Sequence, residues 1–278
     1  MRNRIFRLLF GLSLASTALA SYGQTKTYIA LGDSVAWGYQ PNDTGRGPGD
    51  KGYVKPVADW LRILQGGVRP TVINLAIPGE STASFYNTSE IGGLLNSNYP
   101  IFGRKSQADL FKSKVNSETS AGHVITHVTF ALGANDLLDL ETAQFLALPF
   151  EQQTAIVDQT LSSASIKLQQ EFALIRQYCP GAKLTVPGYY NPYGAYPGSA
   201  EDNISKYAIP RLNSMLQSLA KRYKAGFAIT LPSFFGQELM LTWIGEDDVH
   251  PRNAGYAVLS QLVIDRIVSP LYQSAPAP

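Results

Sequence analysis

The stretch TYIALGDSVAWGY, residues 27–39, runs from a continuous apolar segment straight into a glycine, an acid and a hydroxyl, Gly32, Asp33 and Ser34. Four further runs rich in Val, Ile and Thr share that apolar character: TVINLAI at 71–77, HVTFAL at 127–132, KLTV at 183–186 and GFAITL at 226–231. Alternation of polar and apolar positions would mark strands with one wet face, whereas continuous runs mark strands covered on both. Helical patterns lie between them, at Tyr53 to Leu64, about Phe150 to Tyr178, Ile209 to Tyr223 and Asn253 to Val268. Pro210 is expected at the start of the third of these, or at a kink in it. Strand and helix in alternation predict an α/β fold, a parallel sheet with helices on both faces.

In such sheets ligands bind beyond the carboxyl ends of the strands. The residues there are Gly32-Asp33-Ser34, then Pro78-Gly79-Glu80, then Gly133-Ala134-Asn135-Asp136, and later YYNPY at 189–193. Ser34 or Asp33 could cap a helix, and Asn135 and Gly79 could be ordinary turn residues. Together, however, they supply the inventory of an acyl-transfer site: a hydroxyl nucleophile and amide donors for a developing oxyanion.

A serine hydroxyl also needs an imidazole base and a carboxylate to hold that base. The chain has three histidines. His123 and His127 fall in or just before the third strand, away from its carboxyl end, and read as structural or surface residues. His250 stands in GEDDVHPRNAGY, a polar stretch between the last strand and the last helix, from which a loop can reach the mouth of the sheet. Asp247, three residues before it, is placed by one tight turn against Nδ1, leaving Nε2 toward Ser34. Asp248, two residues before it, competes for that role and is expected to face solvent or cap the loop.

With these residues in place the sequence resembles the GDSL or SGNH hydrolases, serine esterases and lipases with a flavodoxin-like fold. GDS at 32–34 matches the first block of that family and Gly79 in NLAIPGES the second. GAND at 133–136 matches the third and DDVHP, with Asp247, His250 and Pro251, the last. The resemblance implies Ser34 as nucleophile with Asp247 and His250, and an oxyanion hole built from the backbone N–H groups of Ser34 and Gly79 with the Asn135 amide. It also implies a three-layer α/β/α sandwich with a five-stranded sheet in the order 2-1-3-4-5, and neither cofactor nor metal.

One domain, residues 21–278, is expected, with an insertion at about 80–122 and a short frayed tail, SAPAP. The insertion is longer than a crossover requires. It holds SFYN, IGGLLNSNYPIFG and a helical pattern near Gln107 to Val115, and a substrate-side cap is one use for it.

Arg2, Arg4 and Arg7, a mostly apolar stretch from Leu8 to Leu19 and the small residues of ALA at 18–20 form a secretory signal peptide pattern, with cleavage expected after Ala20. The apolar run is shorter than the roughly 20 residues of a membrane anchor. Its removal leaves 20 basic against 21 acidic residues, so the mature chain is close to neutral. That balance excludes a charge-driven partner such as nucleic acid, and leaves at most a transient contact with a membrane surface. Cys179 is the only cysteine, so no intrachain disulfide forms, and its place at the end of a helical pattern, RQYCPG, makes it structural. Sequons at Asn42, Asn87 and Asn203 matter only in a eukaryotic secretory pathway.

Two other hydrolase designs fit poorly. A G-x-S-x-G elbow would need glycine where Ala36 stands, and several strands before the serine. Asp136, Asp139 and Glu141 cluster without an accompanying histidine, and acids so spaced commonly cap helices or face solvent. The expected activity is therefore a secreted or periplasmic carboxylic ester hydrolase of lipase or esterase type, acting on a small-molecule, lipid or carbohydrate ester. A lysophospholipid or short-chain acyl ester is the leading substrate, a polysaccharide O-acetyl group the alternative. A catalytically inactive carbohydrate-binding relative would not need Ser34, Asn135, Asp247 and His250 together. The loop PGYYNPYGAYPG, 187–198, with four tyrosines, could line an acyl channel, stack on a sugar, or simply pack over the sheet edge.

Overall fold

The computed structural model describes residues 24–41, 52–87 and 106–269. The leader pattern, Asn42, the segment IGGLLNSNYPIFG and the C-terminal tail lie outside the described residues. Five strands form one sheet: β1 (Lys26–Gly32), β2 (Thr71–Asn74), β3 (Val124–Ala131), β4 (Lys183–Pro187) and β5 (Gly226–Ala228). Every pairing is parallel and the order is β2-β1-β3-β4-β5, as expected.

The second strand is shorter than its apolar run. Asn74 turns its side chain onto the backbone, accepting from Ala76 N–H at 3.0 Å and donating to the Ala36 carbonyl at 2.9 Å. The chain beyond still follows β1, with Leu75 N–H on the Ala30 carbonyl and Ile77 N–H on that of Gly32. Residues 75–77 therefore reach the carboxyl end of the sheet and deliver Gly79 there.

The helices are α1 (Ser34–Trp37), α2 (Val54–Leu64), α3 (Gln107–Ser120), α4 (Ala134–Leu138), α5 (Ala143–Leu146), α6 (Phe150–Tyr178), α7 (Ala200–Arg222), α8 (Leu231–Phe234), α9 (Glu238–Leu241) and α10 (Asn253–Val268). Among the described residues no helix is long and apolar enough to cross a membrane. Pro210 does not mark a helix start. The Ser199 side chain accepts from Asp202 N–H at 3.1 Å and starts α7 there, with Glu201 and Asp202 in its first turn, so Pro210 stands inside the helix. It leaves the Lys206 carbonyl without its helical donor at a place where both residues are exposed, which lowers the cost.

Both faces of the sheet are buried, which explains the continuous apolar runs. Ile29, Leu31, Val128, Phe130, Leu184 and Val186 face α3, α6 and α7, while Tyr28, Ala30, Ala131 and Ala228 face α2 and α10. Phe130 packs edge-on between Phe85 and Phe172, with centroids 5.9 and 5.4 Å apart. Such pairs contribute about 0.5–1.5 kcal/mol beyond the area they bury.

Part of the 80–122 insertion enters this core. Phe85, Ala108, Leu110 and Phe111 are buried in it, and α3 lies against β3. Residues 88–105, where a cap would lie, are outside the described residues. His127 is buried within β3 beside Lys183, and burial with the neighbouring lysines holds its pKa down at about 4. His123 pairs with Glu118 at 2.9 Å just before the strand. Cys179 is a buried, free thiol whose pKa burial pushes up to about 12. All three keep the structural role expected of them.

Candidate active site

Strand β1 ends in a turn that only glycine can begin. Gly32 has φ +132°, and a Cβ there would lie 1.9 Å from the Ala131 carbonyl oxygen. Asp33 donates its N–H to that same carbonyl at 3.0 Å, the last rung between β1 and β3. Its side chain then caps α1, accepting from Val35 N–H at 2.9 Å and from the Tyr189 hydroxyl at 2.7 Å. Burial pushes the Asp33 pKa up to about 6 even against these hydrogen bonds. Ser34, the first residue of α1, thereby sits just beyond the end of β1.

His250 comes to meet it. The loop that carries it is closed by an antiparallel bridge between Thr242 and Pro251 and by a hydrogen bond from Trp243 N–H to the His250 carbonyl at 2.9 Å. The Tyr190 hydroxyl holds the Val249 carbonyl at 2.8 Å, and the Tyr39 ring lies 4.4 Å from the imidazole, centroid to centroid. His250 Nε2 is 2.8 Å from Ser34 Oγ.

The acid against the imidazole is not the one expected. Asp248 Oδ1 is 2.7 Å from His250 Nδ1, and it also accepts the His250 backbone N–H at 2.8 Å. An aspartate readily bonds the backbone two residues on, and that Asx turn draws the carboxylate onto the ring of the same residue. Asp247 is instead the left-handed residue, φ 58°, that ends the 3₁₀ turn Ile244–Glu246. It lines a separate depression with Glu141, Tyr193 and Tyr196. Although burial alone would raise the pKa of Asp248, its hydrogen bond to His250 and the imidazole charge bring it below the usual carboxylate value. Asp248 is therefore a charged acceptor, and Nδ1 carries the proton it accepts.

Of the expected amide donors, Ser34 and Asn135 line the same cleft, and Gly79 is tied to Asn135 through its neighbour Glu80. Gly79, with φ 81°, forms a turn, and the Asn135 side chain donates one N–H to the carbonyl of Glu80 at 2.7 Å. The amide has a second hydrogen still to give. Among the described residues neither Ser34 N–H nor Gly79 N–H has an acceptor. Asp136 binds this loop to α4, accepting from the Thr82 N–H at 3.0 Å and the Thr82 hydroxyl at 2.6 Å. The acid seen in GAND thus braces the loop after Gly79.

Ser34 and His250 line a cleft of about 740 Å³, counted with its open mouth. Its lining is mostly apolar, with Leu137, Leu138, Leu140, Phe145 and Val157 together with Ile204, Ala208 and Ile209. Tyr189, Tyr190 and Tyr193 from the 187–198 loop complete it, so that loop both packs over the sheet and lines the cleft. Its hydroxyls each find a partner, Tyr189 on Asp33, Tyr190 on Val249, Tyr193 on Glu141 and Tyr196 on Ile244. Sequence reasoning left these partners out, because nothing in a run of tyrosines says where each hydroxyl ends.

The chain is similar to several known proteins across nearly its whole length. The uncharacterized protein YpmR of Bacillus subtilis (strain 168) is 24% identical over 96% of this chain and 97% of its own. Among solved structures, the lipase Lip_vut3 from a goat rumen metagenome is similar with a TM-score of 0.61 and 20% identity, covering 89% of this chain and 100% of that one. Phospholipase A1 from Streptomyces albidoflavus NA297 is similar with a TM-score of 0.57 and 19% identity, covering 86% and 98%. At those identities the likeness shows the fold. The profile of the GDSL-like lipase/acylhydrolase family matches residues 30–258, and with it this chain belongs to that family of ester hydrolases.

Proposed function

We infer that this ester hydrolase works through an acyl-enzyme on Ser34 and takes acyl esters with a chain longer than acetyl, of lysophospholipid or similar lipid type. The observation that carries the reading is the contact of Ser34 Oγ with His250 Nε2 at 2.8 Å in a mostly apolar cleft. His250 removes the hydroxyl proton as Oγ attacks the ester carbonyl. Asp248 steadies the imidazolium that results. The carbonyl oxygen, now negative, is met by the N–H groups of Ser34 and Gly79 and the second N–H of Asn135, donors already held before any charge develops. His250 then gives its proton to the departing alkoxide, which leaves as the alcohol. Water, deprotonated by the same imidazole, releases the acid and restores Ser34.

The cleft supports the acyl preference. Leucines, isoleucine and phenylalanine offer nothing to the hydroxyls of a sugar, and each methylene they bury is worth about 0.8 kcal/mol. The leader pattern supports export, with the mature chain starting at Ser21. A series of p-nitrophenyl esters from acetate to long-chain acids, run beside an acetylated polysaccharide, tests the substrate. An optimum above acetate is the expected result. Preference for the polysaccharide acetate makes the enzyme an O-acetylesterase, and no turnover of any ester by protein with Ser34 intact removes the reading.

A further inference from the structure

We propose that Gln107, the first residue of α3, is a positioning residue that locks the nucleophile turn and the oxyanion loop to each other. It rests on the reading of Ser34 as nucleophile given above.

Gln107 is fully buried. Its side-chain oxygen accepts the N–H of Gly32 at 2.7 Å, and its side-chain nitrogen donates to the carbonyl of the same glycine at 2.9 Å. The carboxamide therefore pairs with Gly32 as a peptide group of a further strand would. The same nitrogen donates to Glu80 Oε2 at 2.8 Å. Glu80 in turn receives the Ser84 hydroxyl at its other oxygen, so both of its oxygens are occupied in the buried interior.

The partners of Gln107 are the immediate neighbours of the oxyanion donors. Gly32 is two residues before Ser34 and joined to it only through the capping Asp33. Glu80 directly follows Gly79, and its carbonyl is the acceptor that holds the Asn135 amide at 2.7 Å. One carboxamide thus bears on all three donors without touching the space a substrate would occupy. It is itself held from behind. Ser106 caps α3 by accepting from Asp109 N–H at 3.2 Å, and Ala108 N–H donates to the Phe85 carbonyl at 3.0 Å, tying the helix start to the loop after Gly79. The described end of the 80–122 insertion is therefore a back-brace to the site.

Donor placement acts on the transition state, where a 1 Å error costs about 10²-fold in rate, and much less on ground-state binding. Gln107→Met keeps the length of the side chain and removes every hydrogen bond. Gln107→Glu keeps the acceptor for Gly32 N–H and removes the donor. With a soluble p-nitrophenyl ester, at matched folded fraction, the expected result is a kcat loss of about 10- to 100-fold with KM within threefold. The saturating rate at which a p-nitrophenyl phosphonate modifies Ser34 should fall in parallel. Unchanged kcat and phosphonylation in a variant that merely melts at lower temperature overturns the proposal, as does a loss carried entirely by KM. If the methionine variant does not accumulate in folded form, the glutamate variant decides by the same two readings. Failure of the wild-type protein itself to react at Ser34 would instead sink the nucleophile assignment, so the two ideas fail separately.

Discussion

Asp248 holds His250 twice with one oxygen, accepting Nδ1 at 2.7 Å and the backbone N–H at 2.8 Å. The side chain that orients the ring is thus also the one that shapes the turn carrying it. Asp248→Asn keeps the shape but can present an amide N–H to Nδ1, favouring the wrong tautomer, a defect worth about 10⁴-fold in serine proteases. A kcat loss of about 10³- to 10⁴-fold is expected for it, against less than about tenfold, or 1.4 kcal/mol of barrier, for Asp247→Asn. Steady-state kinetics on one soluble ester, with circular dichroism to match folded fractions, gives the ranking; the reverse order would return the acid to Asp247.

In the proposed mechanism Asn135→Ala removes an oxyanion donor, and it also removes the hydrogen bond to the Glu80 carbonyl. Its kcat should fall about 10²- to 10³-fold with little change in KM, because the lost bond strengthens only as charge develops. An effect on KM alone would assign Asn135 to substrate binding.

Glu80 sets a pH dependence of stability. Burial raises its pKa from 4.5 to about 7, against the hydrogen bonds from Ser84 and Gln107. Between those values the folded protein keeps a proton that the unfolded chain has released, so stability falls as pH rises through this window, by at most about 3 kcal/mol. Asp33, raised from 3.8 to about 6, acts with the same sign at lower pH. Glu80→Gln mimics the protonated acid at every pH. Its Tm relative to wild type should therefore climb from pH 4.5 to pH 8, and a difference that stays flat across that range would show that Glu80 is ionised throughout.

Leu138, half-buried on the cleft wall, is the place to test the acyl reading. In Leu138→Trp the larger ring should lower kcat/KM for long-chain esters by about tenfold or more and leave the acetate ester nearly unchanged, since selectivity in an apolar pocket runs at about 1–3 kcal/mol per methylene. Equal losses at every chain length would place the acyl group elsewhere.

Export is checked by intact mass. Protein collected outside the cytoplasm should begin at Ser21; an uncut chain retained in the cytosol would end that proposal.

Much of this protein was legible before any coordinates. Continuous apolar runs alternating with helical periods settle a parallel sheet, because only strands covered on both faces have no polar alternate. The glycine, hydroxyl and amide residues stand at strand ends, where topology sends every ligand of such a sheet. Ser34, Gly79, Asn135 and His250 could therefore be named from their places in the chain, and in the structure Ser34, Asn135 and His250 line one cleft.

What spacing could not decide is the direction in which a short side chain turns. Asp247 and Asp248 are one residue apart, and the left-handed backbone of the first with the Asx turn of the second chooses between them. Nor could any local pattern show that a glutamine at the start of a distant helix reaches Gly32, or that four tyrosine hydroxyls bind Asp33, Glu141 and two carbonyls of the His250 loop. Those pairings span 48 to 156 residues along the chain. Long-range hydrogen bonds leave no period in sequence. They arise only when packing has excluded water and each buried polar group must find a partner in whatever the fold has brought beside it.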